Sequence, residues 1–529
     1  MPVWRGEPFI VGTPAQFADA RAALIRMNYT EAAICEGAGI DSVYDLSMRR
    51  HRTTGFLELD SPLSLAVQLF LDGEDLPWDG VRAIVAPEDL AALEGVGLVQ
   101  SLPQDPSRCA AFVALYPTQG LYVASDRHAG IELIATGKPA DIVYSALTPE
   151  TRRFVELMPR VPCGEYLELC AGTGIAALVA ARDSGHVWAV DITARSTRFA
   201  AFNAALNGIG NMTALEGDLY APVAGRTFDV ITAHPPYVPS FETAMVFRDG
   251  GEDGEQVTQA ILAGVADHLR PGGEFYCDCM MTDRVNAPVE QRIRAMLGSD
   301  HAEFDVLVGQ IGLIEPEALL GGSLASGRMS EEVVAAQRAL FAHLRIERFV
   351  NVGFLIRRRL AGGTPVTRRR IVSEGTEAAH LGAYLDYARI TADWGRGSSG
   401  YLDARPVASR YTELLTRSAL KDGRWSVIAA SLATQVPFSV QAECPPWFGT
   451  FLTWCDGGAT ARELLVRLRN AGIVDDASSD ADFAVLIGEL ADGGFVTINV
   501  APVPHQSSPV NLPASEVRVS GASVSQTLA

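Results

Sequence analysis

The 529-residue sequence lacks any uninterrupted apolar run of about 18 residues, the minimum that a transmembrane helix needs. Its first residues, Met1–Arg5, also lack the basic and hydrophobic regions of a signal peptide. Excess positive charge is missing as well, since the formal net charge is −20. A negative charge of this size opposes general attraction to a nucleic-acid backbone. We therefore expect a cytoplasmic protein without a membrane partner. The charge also disfavours a nucleic-acid partner, although a local basic groove would be compatible with it.

The cysteines do not form a disulfide or metal-binding pattern. All eight are scattered through a long chain, which is typical of reduced thiols. Cys277 and Cys279 lie on the same face of a predicted strand, but no second pair of ligands follows at zinc spacing. We expect buried structural thiols and no metal site.

The length predicts about three domains, because one domain usually has about 100–200 residues. Residues 1–145 show helical patterns followed by a small hairpin, the order found in winged helices. The third helix there, "PEDLAALEGVG", is acidic, which favours a packing or substrate-gripping module over a DNA reader. Residues 371–504 resemble a second small winged-helix unit. Residues 505–529 are rich in Ser and Pro, which predicts a disordered tail.

Residues 146–360 alternate strand and helix patterns, which predicts an α/β domain with an open, doubly wound, Rossmann-like sheet. An antiparallel last strand would fit this pattern. Two basic triplets, Arg357–Arg359 and Arg368–Arg370, are interpreted as a strand end and a linker, or as a handle for an acidic partner. The seven predicted strands are "EYLELC", "HVWAVDI", "MTALEG", "FDVITA", "GEFYCDC", "EFDVLVGQ" and "FVNVGFLIRRR".

Candidate ligand-binding residues follow the first three of these strands. Gly172 and Gly174 form a turn after the first strand, where the missing Cβ atoms let a ligand approach the backbone. Asp191 ends the second strand and Asp218 follows the third. Carboxylates at these positions can accept hydrogen bonds from ribose hydroxyls and from an adenine amino group. Either acid alone could instead cap a helix. Together with the turn they predict a ligand site at the carboxyl edge of the sheet.

The fourth strand runs into His234-Pro235-Pro236-Tyr237. Proline fixes φ and donates no hydrogen bond, so this turn can aim a carbonyl group without competing for it. Neutral imidazole offers one donor and one acceptor nitrogen. His234 could therefore accept a hydrogen from an amine, act as a general base, or only hydrogen-bond the turn.

Four segments, "LELCAGTG", "VDI", "EGDLY" and "FDVITAHPPY", resemble motifs I to IV of the class I S-adenosylmethionine-dependent methyltransferases. More narrowly, they resemble the "methyltransferase small" branch, which includes the glutamine-N5 methyltransferases of release factors. Residues 247–262 resemble the GGxDG segment that follows NPPY in the glutamine enzymes. Residues 1–145 resemble the N-terminal module of uncharacterised bacterial members of this branch.

The resemblance implies that S-adenosylmethionine is the cofactor and that substrate meets it over the HPPY turn. Tyr237, Arg248 and Asp249 would contact the substrate, although the last two could instead form a salt-linked loop. The implied catalytic residues are His234, Pro235, Pro236 and Tyr237. The implied cofactor-binding residues are Glu168, Cys170, Ala171, Gly172, Thr173, Gly174, Asp191, Ile192, Gly217, Asp218, Leu219 and His234.

The sequence departs from the family pattern at His234, where the family has Asn. We expect an N-directed methyltransferase that acts on a small molecule, such as a natural product, or on a peptide or protein side chain. The alternatives are an amino-group methyltransferase of nucleic acids and an inert cofactor-binding scaffold or regulator. The flanking regions are expected to grip substrate or to form a homodimer.

Overall fold

The computed structural model describes residues 12–48, 58–127, 140–242, 244–360, 362–475 and 479–499, together with Phe9 and Phe56. The predicted disordered tail, residues 505–529, lies outside these ranges. Within them, no helix has the length and apolar character that crossing a bilayer requires.

An eight-stranded sheet forms the centre, with the spatial order β8-β6-β7-β5-β4-β1-β2-β3. Neighbouring strands from β5 to β3 run parallel, whereas β7 is antiparallel to both β5 and β6. The predicted doubly wound sheet with an antiparallel strand is therefore confirmed. In chain order the strands are β1 Cys163–Leu169, β2 Ser184–Asp191, β3 Met212–Glu216, β4 Phe228–Ala233, β5 Leu269–Arg284, β6 Phe304–Ile314, β7 Ile346–Arg358 and β8 Thr367–Ile371.

Strand β8 adds an eighth strand to the seven that the sequence predicts. It pairs in parallel with β6 and contains the second basic triplet, which the sequence interpretation placed in a linker. Charged side chains are uncommon in strands, so the pattern did not indicate one. Here the Arg369 guanidinium binds Asp283 at 2.8 Å and Gln310 at 2.8 Å, which neutralises its charge at the sheet surface.

Among the described residues, seven helices lie between Pro149 and His343 and accompany the central sheet. Thr193 caps the third of them by accepting a hydrogen bond from the Ser196 amide at 3.1 Å. Apolar residues pack on both faces of the sheet, in one core that includes Leu167 and Phe275 and another that includes Phe154 and Tyr276. The helices are α1 Pro149–Leu157, α2 Ile175–Ala180, α3 Ala194–Leu206, α4 Gln256–His268, α5 Val289–Met296, α6 Pro316–Ala325 and α7 Glu331–His343, with 3-10 turns at Ala221–Val223 and Gly298–Glu303.

The N-terminal part packs against α3. Asn203 and Asn207 of that helix accept hydrogen bonds from the Ala124 and Tyr122 amides at 2.8 and 2.9 Å. Its helices are Pro14–Arg26, Glu31–Ala38, Pro62–Val67, Trp78–Ile84 and Pro87–Gly95, with a 3-10 helix Val43–Met48 and a π-helical turn Gln68–Asp72. Its strands are Leu76–Pro77, Gln100–Leu102, Asp105–Ala110, Val113–Thr118 and Leu121–Asp126.

The C-terminal part combines helices with two small antiparallel sheets. Glu413–Lys421, Arg424–Thr434 and Val440–Cys444 form a three-stranded sheet, and Arg405–Ala408 pairs with Val496–Asn499. A separate apolar core, which includes Phe451 and Leu464, lies between its helices. These helices are Ala378–Ile390, Ser399–Asp403, Phe448–Trp454, Ala461–Asn470 and Asp480–Asp492.

Candidate functional site

A cleft of about 480 Å³ lies at the carboxyl ends of β1 to β4. Ligand pockets typically have volumes of about 300–1,000 Å³, so a small cofactor could fit. Gly174, Pro235, Tyr237 and Arg248 do not line the cleft. The predicted residues that do line it are Glu168, Cys170, Ala171, Gly172, Thr173, Asp191, Ile192, Gly217, Asp218, Leu219, His234, Pro236 and Asp249.

A larger cleft, of about 1060 Å³, lies beside α1 and Ala378–Ile390. Its walls carry arginines and carboxylates that bind one another, as Arg357 does with Glu274 at 2.6 Å. None of the sequence-predicted site residues lines it. We therefore place the candidate site in the smaller cleft, where the glycine turn and the HPPY turn meet.

The glycine turn leaves open space on its cleft side. Gly172 has a φ of +54°, and a Cβ atom added there would meet nothing within 4 Å. Gly174 serves a different purpose: its φ is +77°, and an added Cβ would lie 3.0 Å from the Ala200 Cβ on α3. The first glycine therefore gives a ligand access to the backbone, and the second lets α2 and α3 pack closely.

Glu168 lies at the base of the cleft, where it is 2% exposed. Its two carboxylate oxygens accept hydrogen bonds from the first turn of α2, from the Ala176 amide at 3.3 Å and the Ala177 amide at 2.8 Å. Burial raises the pKa of Glu168 to about 8. A cationic group in the cleft would favour its ionised form.

Asp191 links the end of β2 to both neighbouring loops. Its Oδ2 accepts a hydrogen bond from the Gly172 amide at 2.9 Å, and its Oδ1 accepts one from the Thr193 amide at 3.0 Å. Asp218 is exposed at the rim, beside Leu219. Two carboxylates and an open glycine backbone match the hydroxyl, amino and ammonium donors of S-adenosylmethionine, so the residues present fit this cofactor.

The His234 ring is fixed by aromatic contacts. Its centroid lies 5.2 Å from the Phe154 ring in an edge-to-face arrangement and 6.0 Å from the Tyr237 ring in a nearly parallel one. Across the described ranges, no residue hydrogen-bonds the imidazole. Burial lowers the pKa of His234, so the ring is neutral at neutral pH and keeps an acceptor nitrogen.

A buried ion pair stands behind this ring. Arg153 of α1 binds Asp278 of β5 through two hydrogen bonds, of 2.9 and 2.7 Å, and Asp278 is fully buried. Because Cys277 pairs with Ala233 across the two strands, Asp278 lies next to His234. Burial is the main cause that lowers the pKa of His234, while the Asp278 carboxylate raises this pKa and the Arg153 guanidinium lowers it.

A buttressing loop, residues 244–254, fixes the HPPY turn. Asp249 binds Arg248 at 2.7 Å through one oxygen and accepts hydrogen bonds from the Ala244 and Met245 amides at 2.8 Å through the other. Both oxygens of Asp249 are thus engaged within the loop. An added Cβ at Gly250 would lie 2.7 Å from the Pro236 carbonyl oxygen, which shows how closely the loop and turn approach.

Sequence reasoning missed the cover of the cleft. Residues 141–146 line it, and the Tyr144 ring stacks on Phe247 with centroids 4.7 Å apart. The Val246 amide donates to the Ala140 carbonyl at 3.0 Å, which joins this cover to the buttressing loop. No motif marks the cover, whereas a lone acid in the apolar run "FYCDCMM" could have indicated Asp278.

The sheet order and the cleft define a class I S-adenosylmethionine-dependent methyltransferase domain. Residues 143–299 match the family model described as the methyltransferase small domain. The resemblance read from the four motifs is thereby confirmed.

Relatives with this domain include two glutamine methyltransferases. The ribosomal protein uL3 glutamine methyltransferase of Bradyrhizobium diazoefficiens is 35% identical over 126 residues, which is 21% of this chain and 39% of the relative. The release factor glutamine methyltransferase of Gloeobacter violaceus is 33% identical over 128 residues, which is 22% of this chain and 45% of the relative. The chain thus spans less than half the length of these two relatives.

Solved structures with a similar fold have low overall scores. The ribosomal protein L11 methylase of Lactobacillus delbrueckii subsp. bulgaricus has a TM-score of 0.25 at 19% identity, covering 40% of this chain and 77% of its own.

Proposed function

We propose that the chain is an S-adenosylmethionine-dependent methyltransferase that methylates a nitrogen atom on a peptide or protein side chain, or on a small molecule. The observation that carries this proposal is the single cleft that joins the glycine turn, Asp191, Asp218 and His234. The names of the relatives, which are glutamine methyltransferases of ribosomal protein uL3 and of a release factor, favour the protein side chain.

The cofactor half of the cleft would be held by the first three loops. Asp191 would accept hydrogen bonds from the ribose hydroxyls, and Asp218 would accept one from the adenine amino group beside Leu219; all three residues line the cleft. Glu168 would face the methionine end, where its carboxylate favours an ammonium group. When bound, S-adenosylmethionine supplies a methyl group that its sulfonium already activates, so the protein mainly has to position the acceptor.

The acceptor half would be held by the HPPY turn. Neutral His234 can accept a hydrogen from the acceptor nitrogen, and Pro235 and Pro236 supply a backbone that donates no hydrogen bond. Since family members have Asn at this position, we infer that His234 sets which acceptor is used. Tyr237 lies outside the cofactor cleft, and its parallel packing supports a role in holding the imidazole plane.

Calorimetry with S-adenosylmethionine tests the cofactor half. We expect Asp191→Ala to weaken binding about 100-fold, because charged hydrogen bonds contribute roughly 1.5–3 kcal/mol each. Glu216→Ala is the matched control, since Glu216 is exposed at the end of β3 and does not line the cleft. Equal affinity in the wild type and Asp191→Ala would contradict the assigned site.

Transfer of a radiolabelled methyl group into fractionated extract of the source cell tests the acceptor half. We expect label in a protein or peptide fraction with the wild type, and an altered or broader set of labelled products with His234→Asn. Cofactor binding without transfer into any fraction would instead favour the inert scaffold. Label in nucleic acid would favour the amino-group methyltransferase of nucleic acids.

A further inference from the structure

The strand Glu413–Lys421 forms one edge of the C-terminal three-stranded sheet. Its inner side pairs with Arg424–Thr434, and no strand among the described residues pairs with its outer side. Eight of its nine side chains are exposed, with Ala419 as the exception. A long, exposed edge strand presents a row of free backbone donors and acceptors, which makes it a template for another strand.

Apolar side chains are unusually exposed on this strand and its hairpin partner. Leu420 lies opposite Trp425, which is 75% exposed. The hairpin turn is tight, since Asp422 and Gly423 both have the positive φ values of a two-residue hairpin turn. An exposed apolar hairpin of this kind is typical of a contact surface. The exposed apolar side chains are Leu414, Leu415, Leu420, Trp425, Val427 and Ile428.

The strand sequence "ELLTRSALK" is complementary to itself when read in the opposite direction. In an antiparallel pair centred on Arg417, Glu413 lies opposite Lys421 of the second copy, and Leu414 lies opposite Leu420. Twofold symmetry repeats both contacts, which gives two opposite-charge pairs and two leucine pairs. Cross-strand pairs of these kinds stabilise antiparallel sheets.

We propose that this edge strand pairs with the same strand of a second copy, forming a homodimer with a continuous six-stranded sheet. Such a contact is isologous, as most dimer interfaces are. The complementarity is specific to one register. Centring the pair on Thr416 or Ser418 would place Leu415 opposite Arg417 or opposite Lys421, and would remove both matches.

Arg417 is the unfavourable residue of this interface, because it lies opposite its own symmetry mate. Like charges directly opposite each other destabilise a strand pair, although long exposed side chains can splay apart. Arg417→Thr should therefore tighten the dimer. A gain of affinity from removing a charge is not expected if the strand binds an acidic partner.

Sedimentation of the full chain at increasing concentration tests the proposal. We expect a reversible dimer whose Kd rises about tenfold in Lys421→Glu, because two attractive pairs become repulsive. The charge-swapped variant Glu413→Lys/Lys421→Glu should restore the wild-type Kd. A chain that stays monomeric at roughly 100 µM, or a dimer that none of these variants affects, would overturn the proposal.

A single cysteine at the twofold axis tests the register. Opposite residues in an antiparallel pair have Cα atoms about 4.5–5.5 Å apart, within disulfide range, so Arg417→Cys should cross-link two copies on mild oxidation. In Thr416→Cys the two introduced thiols would be diagonal neighbours, about 7–8 Å apart, and should cross-link poorly. The wild type measures any background from its own cysteines. Equal cross-linking at both positions would contradict the register.

The C-terminal residues 505–529 could cover the same edge in place of a second copy. Deleting them leaves the dimer unchanged if the proposal is correct. A monomeric full chain that becomes dimeric after this deletion would show that the tail occupies the edge, and the proposal for the whole protein would then be wrong.

Discussion

The two loops that meet at the cleft are held in different ways. The glycine turn after β1 is tied by hydrogen bonds, because Asp191 accepts from the Gly172 amide and Glu168 accepts from the Ala177 amide. The His234 ring of the HPPY turn after β4 is held by packing, since it has aromatic contacts but no hydrogen-bond partner in the described part of the chain. The first loop is therefore fixed by polar contacts that leave acceptor capacity on both carboxylates, and the His234 ring keeps its polar atoms for an incoming group.

This difference matches the two tasks proposed for the cleft. A cofactor that is the same in every turnover can be met by preformed acceptors. A substrate nitrogen needs a hydrogen-bond acceptor that has no other partner and that packing holds in position. Variants that disturb only one loop should therefore separate cofactor binding from methyl transfer.

Gly250→Ala should have the largest effect on transfer. An added Cβ would lie 2.5 Å from the Gly254 carbonyl oxygen, 2.7 Å from that of Pro236 and 2.8 Å from the Tyr237 Cα, so the HPPY turn must shift. Misplacing a reacting group by about 1 Å can reduce the rate by about 100-fold. We expect a loss of that size in kcat/KM, measured by methyl transfer, with an unchanged cofactor Kd by calorimetry.

Gly210→Ala is the matched control for this variant. Gly210 has no positive φ, and a Cβ there would meet nothing within 4 Å. Both its transfer rate and its cofactor affinity should equal those of the wild type. If Gly250→Ala weakened the cofactor as much as it slowed transfer, the two loops would not be separable and the contrast between them would be lost.

His234 should give transfer an acid limb that begins below the ordinary histidine pKa. Burial lowers its pKa, and among its charged neighbours Asp278 and Glu150 raise it while Arg153 lowers it. The neutral ring is the form that accepts a hydrogen, so kcat/KM should be constant above pH 6.5. Below the folded pKa it should fall about tenfold per pH unit.

The pH profile of His234→Asn, measured with the same substrate, is the control. Asn does not titrate, so the acid limb should disappear. A limb that persists in this variant would assign the titration to another group or to the substrate. His234 would then be only a positioning residue.

The sequence predicted the glycine turn and the neighbouring carboxylates better than it predicted the packing around His234. The glycine turn, Asp191 and Asp218 each follow a strand, and parallel strands bring their carboxyl ends to one edge, so order along the chain was enough to group them. All seven predicted strands are present in the sheet. Strand β8 was missed because the partners of Arg369, Asp283 and Gln310, are far away in the sequence.

The contacts around His234 and the buttressing loop depend on tertiary structure that no local sequence pattern encodes. Arg153 and Asp278 are 125 positions apart, yet they form one ion pair behind His234. Tyr144 stacks on Phe247 across a similar gap in the chain. Arg248 and Asp249 were candidates for substrate contacts, but they bind each other and the loop backbone, which a sequence motif cannot distinguish.

Glu168 should produce the smallest effect, a shift in how stability depends on pH. Its folded pKa of about 8 lies above its unfolded value, so the native state binds more protons between about pH 4.5 and 8. The free energy of unfolding therefore falls as pH rises through this window. Relative to Glu168→Gln, which cannot titrate, the wild type should lose a few degrees of Tm between pH 5 and pH 8.

Two opposing effects act on the Glu168 carboxyl group. The change with pH in the Tm difference between the wild type and Glu168→Gln shows which of them is larger. Burial favours the neutral acid, whereas the Ala176 and Ala177 amides favour the carboxylate. A Tm difference between the wild type and Glu168→Gln that does not change with pH would mean that the hydrogen bonds from the two amides outweigh burial and that Glu168 is already ionised. A Tm difference that falls with pH, but no longer falls when S-adenosylmethionine is added, would mean that burial outweighs the amides until a cation enters the cleft. The carboxylate would then belong among the cofactor contacts rather than only to the helix.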